Sequence, residues 1–268
     1  MKFLAWDTSS KTGAIVTFET RDSEDKGKPS LNLIAEFVLN VDSTHSERLL
    51  WGIHQVLESA RWKLEDVDVF GVGVGPGSFT GLRIGVTTAR TLAHSLNKPL
   101  VGVSSLAVLA RPKASKDENL LVVAVTDACK GELFALWGNS QDVAGSVIAP
   151  SADSPGLWNP EVKEAVIEPA HLMVKLAEKL AALGKNTKWI AVGEGRSRYL
   201  SDWASLPAEK EIRQDGLIYS NQIEARSLGQ LVWEAYQAGG VSRGLDLSPR
   251  YLRLSNAELK LKGGTVTI

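Results

Sequence analysis

Six glycines fall between Gly71 and Gly85, in the run Gly-Val-Gly-Val-Gly-Pro-Gly-Ser-Phe-Thr-Gly-Leu-Arg-Ile-Gly. The chain holds 24 glycines in 268 residues. At that rate fifteen residues would carry about 1.3, so the run is not background. Ahead of it, Val67 to Val74 alternates valine with Asp, Phe or Gly, which predicts a buried strand. Behind it, Leu82, Ala89, Leu92, Ala93 and Leu96 share one face of a helix. A strand thus enters a glycine turn that opens a helix. Glycine there permits positive φ and close approach of a backbone, a helix or a ligand. A helix N-terminus also offers unpaired N–H groups to an anion.

Three readings compete for this turn. A Walker loop needs Lys and then Ser or Thr after its last glycine, whereas Leu82 and Arg83 follow Gly81. A dinucleotide fingerprint needs a shorter spacing than Gly75-x-Gly77-x-x-x-Gly81 and an earlier place in the chain. The third reading is a turn whose glycines serve tight packing alone.

Length allows one large domain or two small ones with proper cores. With 30 basic and 31 acidic residues, the net charge of −1 leaves no electrostatic footprint for autonomous nucleic-acid binding. One cysteine, Cys129, excludes internal disulfides and any Cys-rich zinc site. The apolar run at the N-terminus is too short for a signal peptide and no later run approaches a membrane span, so a cytoplasmic protein is expected.

In chain order, Lys2 to Trp6, Gly13 to Phe18 and Leu31 to Val38 read as three antiparallel strands, with a charged tip at Arg21 to Ser30. Thr44-His45-Ser46-Glu47 reads as a capping box. It opens a helix to about Arg61 with Leu49, Leu50, Ile53, Val56, Leu57 and Ala60 along one stripe, and Trp51 and His54 beside it. Then come the strand, the glycine turn, the second helix, a strand at Leu100 to Val103 and a short helix from Ser104. Three antiparallel strands, helix, strand, helix, strand is the order of a ribonuclease-H-like half, as in actin-like ATPases and sugar kinases.

The plan echoes farther on. Leu121 to Val125, Asp127, Gly131 and Glu132 to Trp137 repeat the strand, Asp-turn and strand of Leu4 to Phe18, and Gly193-Glu194-Gly195 is a reduced echo of Gly73 to Gly77. The expected architecture is α/β, with two ribonuclease-H-like lobes of the actin-like ATPase fold, the second reduced. The expected divisions are a first lobe over 1–112, a reduced lobe over 113–220, and over 221–268 a helix returning to the first lobe with a terminal strap and tail. Pro150 to Pro160 reads as an irregular loop, Pro169 to Leu183 and Ile223 to Ala238 as helices, and Ser255 to Ile268 as a frayed tail.

With these residues laid out, the sequence resembles the TsaB (YeaZ) family of bacterial tRNA-modification proteins over nearly its whole length. The resemblance rests on Leu4-Ala5-Trp6-Asp7-Thr8-Ser9, on His45-Ser46-Glu47-Arg48-Leu49-Leu50, and above all on Gly75 to Gly85. Val101 to Leu106, Asp127 to Glu132 and Pro249-Arg-Tyr-Leu-Arg253 also match, while the charged tip is longer than the family suggests.

The resemblance implies a paralogue of the catalytic subunit TsaD, which transfers threonylcarbamoyl from its adenylate to the adenosine beside the anticodon in tRNAs reading codons that begin with A. It implies a required scaffold that lacks the active site, pairs with TsaD through the two helices, and is joined by the ATPase TsaE. Alone, the same patch would pair with itself as a homodimer. Where TsaD carries a His-x-x-x-His metal pair, this chain has Ser105 and Leu109, so no catalytic metal is expected.

His45, Glu47, Leu50, Trp51, His54, Arg83, Ile84 and Thr87 are the expected partner-interface residues. Asp7, Thr8, Gly75, Gly77 and Ser78 are candidates for nucleotide contact, against the plainer reading of a turn that bonds its own backbone. No intrinsic cofactor is expected; ATP or ADP would sit at the interface of the assembled complex, and tRNA would be touched only through it. Two enzyme readings stand beside the scaffold. One is an actin-like kinase using Asp7 and Asp127; the other is a peptidase using Ser78, His94 and Asp7.

Overall fold

The computed structural model describes residues 1–21, 30–40, 45–114, 119–145, 159–184, 187–199, 203, 222–242 and 245–253, without the side chains of 39–40 and 45–47. Most of the charged tip, Thr44 and the Glu47 side chain of the capping box, nearly all of the Pro150–Pro160 loop and the tail lie outside the described residues.

The first sheet holds β1 (Lys2–Asp7), β2 (Thr12–Arg21), β3 (Ser30–Asn40), β4 (Val69–Gly73) and β5 (Leu100–Val103) in the order β3-β2-β1-β4-β5. The pairs β1–β2 and β2–β3 are antiparallel, and β1–β4 and β4–β5 are parallel. This is the ribonuclease-H-like order. β1 lies between β2 and β4, so all its residues but Lys2 are buried. Its side chains alternate between two cores, as strand geometry dictates. Leu4 and Trp6 face α1 (His45–Ala60) and α2 (Phe79–Ser95), packing with Leu49, Ile53, Val86 and Ala89. Phe3 and Ala5 face the late helix α7 (Ala225–Gln237), with Leu228, Leu231 and Val232. Phe3 stacks on Phe18 at 4.7 Å and meets the edge of Trp233 at 5.5 Å.

The second sheet holds β6 (Leu120–Asp127), β7 (Leu133–Asn139), β8 (Lys163–Ile167) and β9 (Lys188–Val192) in the order β8-β7-β6-β9. Its pairings repeat the first four strands of the other sheet, two antiparallel and one parallel. Among the described residues it has no fifth strand, so this lobe is the reduced one. One face packs on α5 (Pro169–Leu183) through Leu172, Leu176 and Leu180. The other face shares the α7 core by way of α3 (Ser105–Ala110), whose residues are all buried between the lobes.

Both lobes make the same local turn. Asp7 Oδ1 accepts from the Ser9 N–H at 2.7 Å, and Asp127 Oδ1 accepts from the Cys129 N–H at 3.0 Å. The echo in the sequence is thus an echo in hydrogen bonding.

Three elements differ from the sequence reading. β8, α4 (Ser140–Gly145) and α6 (Glu194–Arg198) carry too little pattern to predict. β8 is an edge strand that opens on Lys163 and Glu164, and the two helices have six and five residues. Helix α2 starts at Phe79, and Ser78 caps it as a serine at that place is expected to, accepting from the Gly81 N–H.

Candidate functional site

β1 ends in the turn Asp7-Thr8-Ser9, and α2 starts against it. Asp7 and Thr8 are each 1% exposed. The Thr8 hydroxyl donates to the Gly81 carbonyl at 2.7 Å, and the Ser78 N–H donates to the Ser9 carbonyl at 2.7 Å. Gly81 and Gly85 are what permits this approach. A Cβ on Gly81 would strike the Thr8 carbonyl, and one on Gly85 would strike the Thr8 hydroxyl. Gly77 lies on the Ser9 backbone, and the Gly75 N–H donates to Ser105 Oγ at 3.1 Å. Asp7, Thr8, Gly75, Gly77 and Ser78 are therefore brought together.

A phosphate cradle needs free backbone donors at such a turn. Here the N–H groups of Ser9, Gly75, Ser78 and Gly81 are committed inside the chain. Asp7 Oδ2 is buried without a hydrogen-bond partner among the described residues, and Gly73 faces it with no room for a Cβ. These four donors of the turn are thus already paired within the chain. Ser105 is consumed by Gly75, and Leu109 is buried in the core. Among the described residues, no three His, Cys, Asp or Glu side chains form a metal-sized cluster.

Asp127, the other acid of the kinase reading, pairs with Arg198. Burial, with the Asp127 carboxylate next in weight, raises the nearby Tyr199 hydroxyl above its ordinary pKa. The peptidase triad does not assemble. Ser78 caps the start of α2 while His94 lies in its last turn. At 1.5 Å per residue, that is about 24 Å along the axis.

The residues expected at a partner interface lie elsewhere, on α1 and α2. Leu50 is 59% exposed and Trp51 52%. Trp51 meets Phe37 of β3 edge-on at 5.2 Å. His54 Nε2 lies 3.6 Å from Glu58 Oε1. Leu50, Ile53, His54, Leu57, Trp62 and Leu92, together with the charged Glu58 and Lys63, line an open groove of about 410 Å³ beside α1. Trp62 and Leu92 escape a sequence reading. Trp62 lies past the helix end, and Leu92 shares the face that packs inward.

On α2, Thr87 is exposed and Ile84 half-buried against the core. Arg83 stacks over the Phe79 ring at 3.9 Å and donates from Nε to the Tyr251 hydroxyl at 3.3 Å. The side chains of His45 and Glu47 lie outside the described residues. No described helix is long and apolar enough to cross a membrane.

A family model described as TsaD, tRNA N6-adenosine threonylcarbamoyltransferase, matches residues 33–201. The chain is 29% identical over 220 residues to the tRNA threonylcarbamoyladenosine biosynthesis protein TsaB of Escherichia coli (strain K12), covering 82% of this chain and 85% of that one. It is 27% identical over 263 residues to the protein of the same name in Haemophilus influenzae, covering 98% of each. Among solved structures, YeaZ from Pseudomonas aeruginosa superposes with a TM-score of 0.65 at 24% identity, covering 93% of this chain and 99% of that one. That last likeness shows the fold.

Proposed function

Because the chain belongs to the TsaB (YeaZ) family, whose relatives above are named tRNA threonylcarbamoyladenosine biosynthesis proteins, we propose that it is a non-catalytic scaffold in that pathway. Its partner would be a TsaD-like threonylcarbamoyltransferase, which it completes for transfer to tRNA. The observation that carries this reading is the α1–α2 face, where Leu50 and Trp51 stand exposed beside an apolar groove.

Two helices of roughly 25 Å can supply much of the 1,600 Å² or so that a specific interface buries. The residues of the cleft support the same reading. Ser105 and Leu109 offer no histidine pair, and the Gly75, Ser78 and Gly81 N–H groups of the glycine turn are paired within the chain. In this account a TsaE-like ATPase, ATP or ADP, and tRNA meet this chain only in the assembled cytoplasmic complex. Alone, the chain covers its face with a second copy.

Size-exclusion chromatography with light scattering tests this on a mixture with the TsaD-like protein of the same organism. A heterodimer that replaces a homodimer is expected. No complex under any nucleotide condition, with ATP hydrolysis by the chain alone, would transfer the case to the kinase reading.

A further inference from the structure

Helix α7 is followed by residues 245–253, an extended strap that touches both lobes. On the first lobe, Leu247 fills the space over Gly102 and Val74, where a Cβ on Gly102 would come within 2.7 Å of it. The Arg250 N–H donates to the Val74 carbonyl at 2.8 Å. The Tyr251 ring lies 4.7 Å from that of Phe79. On the second lobe, the Arg250 guanidinium pairs with Glu164 of β8. Arg253 Nη1 donates to the Ala128 carbonyl at 2.6 Å and lies 3.5 Å from Glu132 Oε2.

Glu164 is the telling residue. Its side chain is 1% exposed, although its strand is the edge of the sheet. A carboxylate is buried only where partners repay the lost water. Its Oε1 accepts from Ser104 Oγ at 2.7 Å, at the cap of α3 in the first lobe. Its Oε2 faces Arg250 of the strap. Among the described residues, both partners come from outside its own lobe. The folding of the second lobe alone thus gives no reason to bury it.

We propose that the strap is a clasp, with Glu164 as its keeper, that closes the cleft between the lobes and fixes their relative orientation. It crosses the carboxyl ends of β4 and β5, where open α/β sheets keep their ligand crevice, and fills part of that crevice with Leu247 and its own backbone. A second tie stands at α3. Arg111 donates to the Ala144 carbonyl at 2.6 Å and pairs with Glu234 of α7. Releasing the clasp therefore leaves the lobes attached through this tie and the buried α3. The proposal does not depend on the scaffold reading, since its readout lies within one chain.

The test is a spin–spin distance measured by pulsed electron resonance on the full chain. Labels go on Ser59→Cys in α1 and Glu178→Cys in α5, both exposed, with the exposed native thiol removed by Cys129→Ser. The labelled protein should give one narrow distance distribution. Arg250→Met with Glu164→Gln, which removes both charges together, should broaden it and add a longer-distance population, with helix content by circular dichroism unchanged. A folded double variant with the original distribution would overturn the clasp, as would a broad distribution before any change. Should the double variant fail to fold, Tyr251→Ala with Arg253→Gln decides the matter in the same way. Broadening supports the clasp and an unchanged distribution refutes it.

Discussion

The Thr8 hydroxyl donates to the Gly81 carbonyl at 2.7 Å, joining the end of β1 to the first turn of α2. This bond explains why the most distinctive stretch of the chain is a run of glycines. The run lets one backbone turn lie on another. It also fixes the start of α2, and with it the face that α2 shares with α1.

Gly81→Ala should destabilise the chain by about 1–3 kcal/mol, because its Cβ meets the Thr8 carbonyl and backbone cannot step aside. Gly145→Ala at the end of α4 meets nothing within 4 Å. It should leave stability unchanged or raise it by up to about 1 kcal/mol. Urea midpoints compare the two. Equal midpoints would remove the packing account of the motif.

Ser78→Ala should cost about 1 kcal/mol, the usual value of a helix N-cap, and should be read in the same urea series. The Oγ accepts only from the Gly81 N–H at 3.3 Å among the described residues, so Ser78→Asn, which can also cap, should recover most of the loss. A loss that no capping residue repairs would point to another role for Ser78.

Acid should remove a small contribution from Asp66. The Lys63 N–H donates to its carboxylate at 2.9 Å and Lys2 Nζ lies 3.7 Å away, which together hold its pKa below the ordinary value. A depressed folded pKa means the native state binds fewer protons. The contribution is thus complete above about pH 4, the unfolded value, and is lost as pH falls through the lower folded value. The stability gap between the parent chain and Asp66→Asn should therefore narrow toward pH 2. A gap that stays constant to the lowest pH would contradict the assignment.

Leu50→Glu should leave the isolated chain within about 0.5 kcal/mol of the parent, since the side chain is 59% exposed. Calorimetric binding to the TsaD-like protein should weaken by about 2 kcal/mol or more, roughly thirtyfold. Binding as tight as the parent's would move the interface off α1.

The first lobe was largely legible because its central strands are buried on both faces and its helices carry clean stripes. β1 and β4 read as unbroken apolar runs, and Leu49, Ile53, Val56 and Leu57 mark the inner side of α1. The second lobe was less so. β8 is a half-buried edge strand, and Lys163 and Glu164 hide its pattern. The burial of Glu164 could not be read at all, because its partners Ser104 and Arg250 lie 60 and 86 residues away in sequence. The groove residues Trp62 and Leu92 were missed for a related reason. Each belongs to a surface made by two elements, and periodicity describes one element at a time.

The central claim is that this chain completes a transferase through the α1–α2 face and has no transferase chemistry of its own. The most direct measurement is threonylcarbamoyl transfer to tRNA in a reconstituted system with the TsaD-like subunit, the TsaE-like ATPase and preformed threonylcarbamoyl-adenylate. The account predicts no modified adenosine from this chain alone, full transfer when all the proteins are present, and loss of transfer with Leu50→Glu. Transfer by the chain alone, or undiminished transfer with Leu50→Glu, would contradict it.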